Sequence, residues 1–215
     1  MFSKIFPKIH SEGYKFLVIA GIITIVLYNF GDFLGLIGLV LTIWVYYFFR
    51  DPERVIIEDD SYLVSPADGE VIKVEDVDGP NELGLENKKF KKISIFMNVF
   101  DCHVNRTPCA GKISEILYKP GKFLNASFDK ASEENERNYY KIKDPHNNDI
   151  IVVQIAGLVA RRIVCETNKD QELRQGDRIG MIRFGSRADV YYENYEPLVK
   201  VGQKAISGET LLAKK

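Results

Sequence analysis

Residues 16–49 form an apolar run in which Asp32 is the only formal charge. No other feature limits the fold so strongly. The Gly31-Asp32 step splits the run into Phe16–Phe30 and Phe33–Phe49, each somewhat short of the roughly 20 residues that a helix needs to cross a bilayer. Neither piece has the one-sided periodicity of a helix lying on a soluble core. A secretory signal would need a small-residue cleavage site, and a second apolar piece would not follow it. Residues 1–54 are therefore expected to be a membrane-anchoring helical pair, either tilted or re-entrant. Lys4, Lys8 and Lys15 precede the pair, and Arg50 and Arg54 follow it. This charge pattern puts both flanks, and the downstream domain, at the cytoplasmic face of the cell membrane.

After Arg50-Asp51-Pro52-Glu53 the composition changes to short β-like runs separated by turn residues. Strands are expected at Leu63-Val64, 70–74, 92–100, 112–118, 150–156 and 161–166, and again around Ser186, with Asp68-Gly69 and Pro120-Gly121 as turns. The charged stretch 125–138 reads as a solvated loop. Evenly spaced short strands with glycine turns predict a mainly β domain over 55–215, a barrel or a sandwich. The 29 basic and 30 acidic residues balance, which gives no field for nucleic acid. Cys102, Cys109 and Cys165 have neither the count nor the spacing of a disulfide framework. With His103 they match no zinc pattern, so no metal is expected.

The chemistry is expected at Gly185-Ser186, inside 182–191. Glycine leaves its carbonyl open on both faces to the hydroxyl of the next residue. Attack there would convert the peptide to an ester. Loss of the Ser186 α-proton would then eliminate the ester to dehydroalanine, and hydrolysis would give a pyruvoyl group. A plain Gly-Ser turn or bulge is the competing reading. Of the three histidines, His10 precedes the apolar run and His146 lies in a turn-rich segment, while His103 ends a strand among polar groups. If Asp68 fixed the tautomer of His103, and His103 faced Ser186, the three would form a nucleophile, base and orienting acid.

Phe184-Gly185-Ser186-Arg187, Val64-Ser65-Pro66-Ala67-Asp68-Gly69, and 96–108 with its Asp101-x-His103 centre together resemble phosphatidylserine decarboxylases of the short, membrane-anchored bacterial type. The similarity extends to the paired apolar segment, to Phe49-Arg50-Asp51-Pro52 and to Ala160-Arg161-Arg162-Ile163. It implies a β domain akin to the barrel-sandwich hybrids, behind an N-terminal apolar hairpin. It also implies a proenzyme that cuts itself between Gly185 and Ser186 into a β chain (1–185) and an α chain (186–215) that stay together, with higher oligomers left open. Asp68, His103 and Ser186 match the family's triad positions. The cofactor implied is the pyruvoyl group made from Ser186. It would form a Schiff base with membrane phosphatidylserine, release CO2 and give phosphatidylethanolamine. Longer members carry a second histidine where this chain has Arg106, which is left between a contact to substrate phosphate and a surface salt bridge. Three alternatives are a membrane-tethered carrier or adaptor barrel, a decarboxylase of ether-type serine lipids, and a pyruvoyl decarboxylase of a soluble amino acid. The first lacks a displayed lysine, and the last leaves the apolar run unexplained.

Overall fold

The computed structural model describes residues 7–124, 126, 134–157, 162–183 and 186–215. Gly185, most of the 125–138 stretch and Ala160-Arg161 therefore lie outside the described residues. The chain divides into two compact units, Met1–Glu53 and Arg54–Lys215.

The first unit is a helical hairpin, α1 (Tyr14–Tyr28) and α2 (Asp32–Phe48), joined at Gly31 with φ 144°. The helices meet through small residues. A Cβ on Gly38 would lie 3.0 Å from the Thr24 Cα, and one on Gly35 would strike the Tyr28 ring. Thr24 and Thr42 share a 2.8 Å hydroxyl bond across the seam. Close backbone approach at small residues, with hydroxyls bonded between helices, is how apolar helices associate in lipid. The outer surface fits the same solvent, since Ile19, Ile22, Ile23 and Ile25 are all more than half exposed. Ser11–Tyr28 is long and apolar enough to cross a membrane by length and composition, and Asp32–Phe48 is slightly shorter. Two short strands, β1 (Lys8–Ile9) and β2 (Arg50–Asp51), pair antiparallel and bring the start and end of the hairpin together.

The second unit is mainly β, as the strand spacing predicts. Its strands are β3 (Tyr62–Val64), β4 (Gly69–Asp78), β5 (Lys89–Met97), β6 (Val104–Arg106), β7 (Gly111–Lys119), β8 (Arg137–Lys143) and β9 (Asp149–Ala156). They continue as β10 (Ile163–Cys165), β11 (Glu172–Leu173), β12 (Arg178–Ile182), β13 (Ser186–Tyr192), β14 (Glu196–Pro197), β15 (Lys204–Ala205) and β16 (Leu211–Lys214). Eight of them form one curled, half-barrel sheet in the order β11-β7-β8-β9-β13-β5-β4-β15. Two three-stranded sheets, β10-β12-β6 and β14-β16-β3, complete the fold.

Local chemistry sets the turns. Between β8 and β9, one Asp144 oxygen accepts the amides of His146 (2.9 Å) and Asn148 (2.7 Å), while Asn147 takes the left-handed conformation at φ 64°. This is the turn-forming use of Asx residues. Strand β8 was not expected from the sequence. Its outset belonged to the stretch read as solvated, yet Asn135, Glu136, Arg137 and Asn138 are all buried.

The large sheet is buried on both faces. One face carries Ile93, Ile95, Met97, Val152, Ala156, Ala188, Val190 and Tyr192 in the main core, and the other carries Phe90, Tyr139, Ile151, Val153 and Ile155. Period-two alternation sorts β13 between them. Ser186 starts the main-core row, while Arg187, Asp189 and Tyr191 face the second. On that second face Arg187 grips Asp189 through Nε–Oδ1 (2.7 Å) and Nη2–Oδ2 (2.6 Å), with both side chains at most 1% exposed. Removing one partner of such a pair strands a buried charge, whereas removing both is nearly neutral. Arg187→Met is expected to cost about 3–5 kcal/mol. The double change Arg187→Met/Asp189→Leu should recover most of that, as read from urea midpoints.

Candidate active site

Ser186 is wholly buried and is the first residue of β13, where it pairs with Met97 on β5 and with Ala156 on β9. Its side chain thus enters the main core at a fixed place. The partner of its Oγ among the described residues is the Met97 thioether, at 3.8 Å. Sulfur is a weak acceptor, so the hydroxyl is placed without being tied to a strong one.

Asp68 reaches the same end of β5 from the opposite side. Gly69, at φ 149°, begins β4, and a Cβ there would lie 2.1 Å from the Phe96 carbonyl oxygen. Only glycine lets the chain pass β5 so closely. The preceding loop is drawn onto β6, because the Pro66 carbonyl accepts the Arg106 amide (2.9 Å), the Ser207 hydroxyl (3.1 Å) and, more distantly, Asn105 Nδ2 (3.4 Å). The Asp68 carboxylate takes Arg54 Nη2 on both oxygens, at 2.8 and 2.6 Å, and the Ser207 amide at 2.8 Å. Burial alone would favour the neutral form of Arg54, but the Asp68 charge outweighs it and raises Arg54 above its ordinary value.

His103 is wholly buried just before β6, and its carbonyl accepts the Ile182 amide at 3.2 Å, which ties it to the end of β12 four residues before Ser186. Its Nδ1 lies 3.0 Å from the Asp101 carbonyl. A carbonyl only accepts, so Nδ1 carries the proton and Nε2 keeps its lone pair. This is the tautomer of a base. The tautomer-fixing contact expected from Asp68 is thus made by the Asp101 backbone, while Asp68 is held by Arg54 and Ser207. Asp68 precedes the glycine that passes the end of β5, Ser186 pairs with Met97 at that end, and His103 leads into β6, whose Asn105 reaches the Met97 sulfur.

Arg106 sits differently from either expectation. It is buried, and its Nη1 donates to the Gly176 carbonyl at 2.9 Å. By strand alternation it points away from the side of β6 that carries His103 and Asn105. That bond ties it to the Gly176 turn.

Several participants were not singled out in the sequence. Asn105, two residues after His103, shares its face of β6, and its Nδ2 lies 3.6 Å from the Met97 sulfur that Ser186 also touches. Gln154 Nε2 donates to Asn105 Oδ1 at 2.9 Å, and the Tyr140 hydroxyl lies 2.9 Å from Gln154 Oε1. The spacing of His103 and Asn105 on one strand was a readable signal, whereas the pairing of Arg54 with Asp68 had none.

A larger cleft of about 550 Å³ lies on the other face of the sheet, against Asp189 and Tyr191. Its charges answer one another. Lys92 bonds Glu75 at 2.7 Å, and Glu82 takes Lys119 at 2.8 Å and Arg137 at 3.1 Å. Burial pushes Glu82 upward, but the bond from Lys119 and the charge of Arg137 prevail and hold it below its ordinary value. Period-two alternation keeps this cleft apart from Ser186.

The family model described as phosphatidylserine decarboxylase matches residues 41–213. The chain is 80% identical, over the full length of both, to a phosphatidylserine decarboxylase proenzyme of Pelagibacter ubique (strain HTCC1062). It is 55% identical to one of Ruegeria pomeroyi, over 95% of this chain and 94% of that one. For one of Cereibacter sphaeroides the identity is 51%, over 99% of this chain and 92% of that one. With the match running through Asp68, His103 and Ser186, the chain belongs to the phosphatidylserine decarboxylase family.

Proposed function

We propose that this protein cuts itself after Gly185, turns Ser186 into a pyruvoyl group and uses that group to remove CO2 from the serine head group of membrane phosphatidylserine, leaving phosphatidylethanolamine. The observation that carries this reading is the setting of Ser186. It is a wholly buried serine on a strand paired on both sides, with its hydroxyl against a thioether. The interior suits a ketone made at that position, since it keeps water away and offers the Asn105 amide beside it.

His103, with the lone pair left on Nε2, takes the proton from the hydroxyl and later returns one to the substrate carbon. An imidazole titrates near working pH and serves both directions. Asp68 supplies the negative charge of the triad, and Arg54 and the Ser207 amide hold its carboxylate still. A bound pyruvoyl ketone supplies an electron sink for the pair left when a carboxylate departs. After cutting, residues 1–185 and 186–215 remain one complex. The smaller piece keeps β13 at the centre of the large sheet and β16 at the centre of a second.

The substrate's location gives the helical hairpin its purpose. Extracting a two-chain lipid from a bilayer costs about 0.8 kcal/mol per buried CH2, so the enzyme works at the interface and handles only the head group. The lysines before the hairpin and the arginines after it favour the cytoplasmic face.

The decisive measurement is intact mass. Wild-type protein should give two chains, the smaller beginning at residue 186 with a carbonyl in place of its amine. Ser186→Ala should stay whole and lose all decarboxylation. A whole wild-type chain that turns over phosphatidylserine would overturn the reading. His103→Ala and Asp68→Asn should stall cutting by at least about 10²-fold, on the scale of lost acid–base catalysis. Arg54→Gln should slow it less, because it loosens Asp68 without removing it. Gel time courses of newly made chain check all three.

A further inference from the structure

We infer that Asn105 is a catalytic residue of self-processing: its Nδ2 stabilises negative charge on Oγ of Ser186 when the Cβ–Oγ bond breaks. This rests on the reading that Ser186 is the self-cleaving serine, and it extends that reading to a residue of the interior.

The first support is position. Asn105 and Ser186 are both wholly buried, and Nδ2 of one and Oγ of the other meet the same Met97 sulfur, at 3.6 and 3.8 Å. Orientation is the second. An asparagine amide can present either its oxygen or its nitrogen to a site. Here Gln154 Nε2 donates to Oδ1 at 2.9 Å, which turns Nδ2 toward the sulfur. Gln154 Oε1 is met in turn by the Tyr140 hydroxyl at 2.9 Å, which the Ile179 carbonyl also meets at 3.0 Å, and by Asn138 Nδ2 at 3.5 Å. Burial raises the Tyr140 phenol well above its ordinary value, so it stays protonated and able to donate. The third support is spare capacity. Among the described residues, the acceptors that meet Nδ2 are a thioether at 3.6 Å, which is a weak acceptor, and the Pro66 carbonyl at 3.4 Å, which lies beyond the usual N–H···O range. A buried donor held by weak acceptors is free to strengthen its bond to a stronger one.

The step it serves follows from the chemistry. A donor on an oxygen blunts that oxygen as a nucleophile and improves it as a leaving group. Before reaction Nδ2 rests on sulfur, which leaves the Ser186 hydroxyl free to attack the carbonyl of Gly185. That attack forms the C–O bond and breaks the C–N bond, with the proton passing to the amine of Ser186. In the resulting ester a base removes the Ser186 α-proton, its electron pair forms Cα=Cβ, and the Cβ–Oγ pair goes to Oγ. That oxygen departs as part of the new carboxylate of Gly185. The dehydroalanine left behind tautomerises to an imine, which water converts to the ketone and ammonia. Asn105 acts at the bond-breaking step, where Oγ gains charge.

The test follows newly synthesised full-length protein by gel, with and without neutral hydroxylamine, which cuts an ester at 185/186 but leaves a peptide bond intact. Asn105→Leu removes the donor, and Asn105→Asp removes it while keeping the shape. Both should form the carbonyl-bearing small chain about 10²-fold more slowly than wild type, the usual loss for one such donor. Both should also accumulate full-length chain that hydroxylamine cuts to release a piece beginning with an unmodified serine. Processing at the wild-type rate would overturn the proposal. So would a stalled chain that resists hydroxylamine and melts as cooperatively as Ser186→Ala. Where the leucine variant does not melt cooperatively, the aspartate variant decides. A wild-type chain never cut after Gly185 would overturn the underlying reading instead, and this one with it.

Discussion

The pairing of β13 on both edges is the constraint on which the rest depends. From Ser186 onward, its residues bond to β5 on one side and β9 on the other, in unbroken register with each. Because side chains alternate, one choice of register fixes two things together. Ser186, Ala188, Val190 and Tyr192 belong to the main core, and the forked Arg187–Asp189 pair belongs to the second face. A slip of one residue would drive that ion pair into the apolar core and turn the serine out of it. The expense of the misplaced charges therefore guards the position of the hydroxyl. The same ladder explains how a chain can be cut just before Ser186 without falling apart, since the break leaves every described β13 pairing in place.

The sequence showed the architecture wherever a pattern had a single cause. The apolar hairpin was legible because nothing but lipid or deep burial accepts such a run. The strands around Ile93, Val152 and Val190 were legible from their branched and aromatic residues. β8 was not, because Arg137-Asn138-Tyr139-Tyr140-Lys141-Ile142-Lys143 places polar groups on both of its faces. Burial of Arg137 and Asn138 draws on partners from other elements, Glu82 in the short helical turn before β5 for one and Gln154 on β9 for the other. Such partners lie far away in sequence and leave no periodic trace.

The site divides in the same way. Asp68, His103 and Ser186 sit in distinctive local motifs, and Asp68, just before β4, and Ser186, at the start of β13, lie where those strands pair with the end of β5 on either side. How they are held depends on the backbone, which a sequence does not reveal. The Asp101 carbonyl sets the histidine tautomer, the Ser207 amide steadies the aspartate, and the Pro66 carbonyl gathers the loop onto β6. Arg106 illustrates the converse. Its position beside His103 in the sequence says nothing of the Gly176 carbonyl, seventy residues away, that receives its Nη1.

The polar row beneath Ser186 is costly to bury, because each amide removed from water must find partners or forfeit free energy. Gln154 and Asn105 meet this demand in one direction, amide nitrogen toward amide oxygen, with the Tyr140 hydroxyl between Gln154 Oε1 and the Ile179 carbonyl. A row satisfied in this way has a polarity, with its last N–H groups at the serine end. An apolar core of the same volume would be cheaper and equally well packed. What it could not provide is a fixed positive end in a dry environment at an atom whose charge changes, and such preorganised dipoles act most strongly where water is excluded. The orientation of three buried side chains thus links the packing of the sheet to the chemistry at its centre.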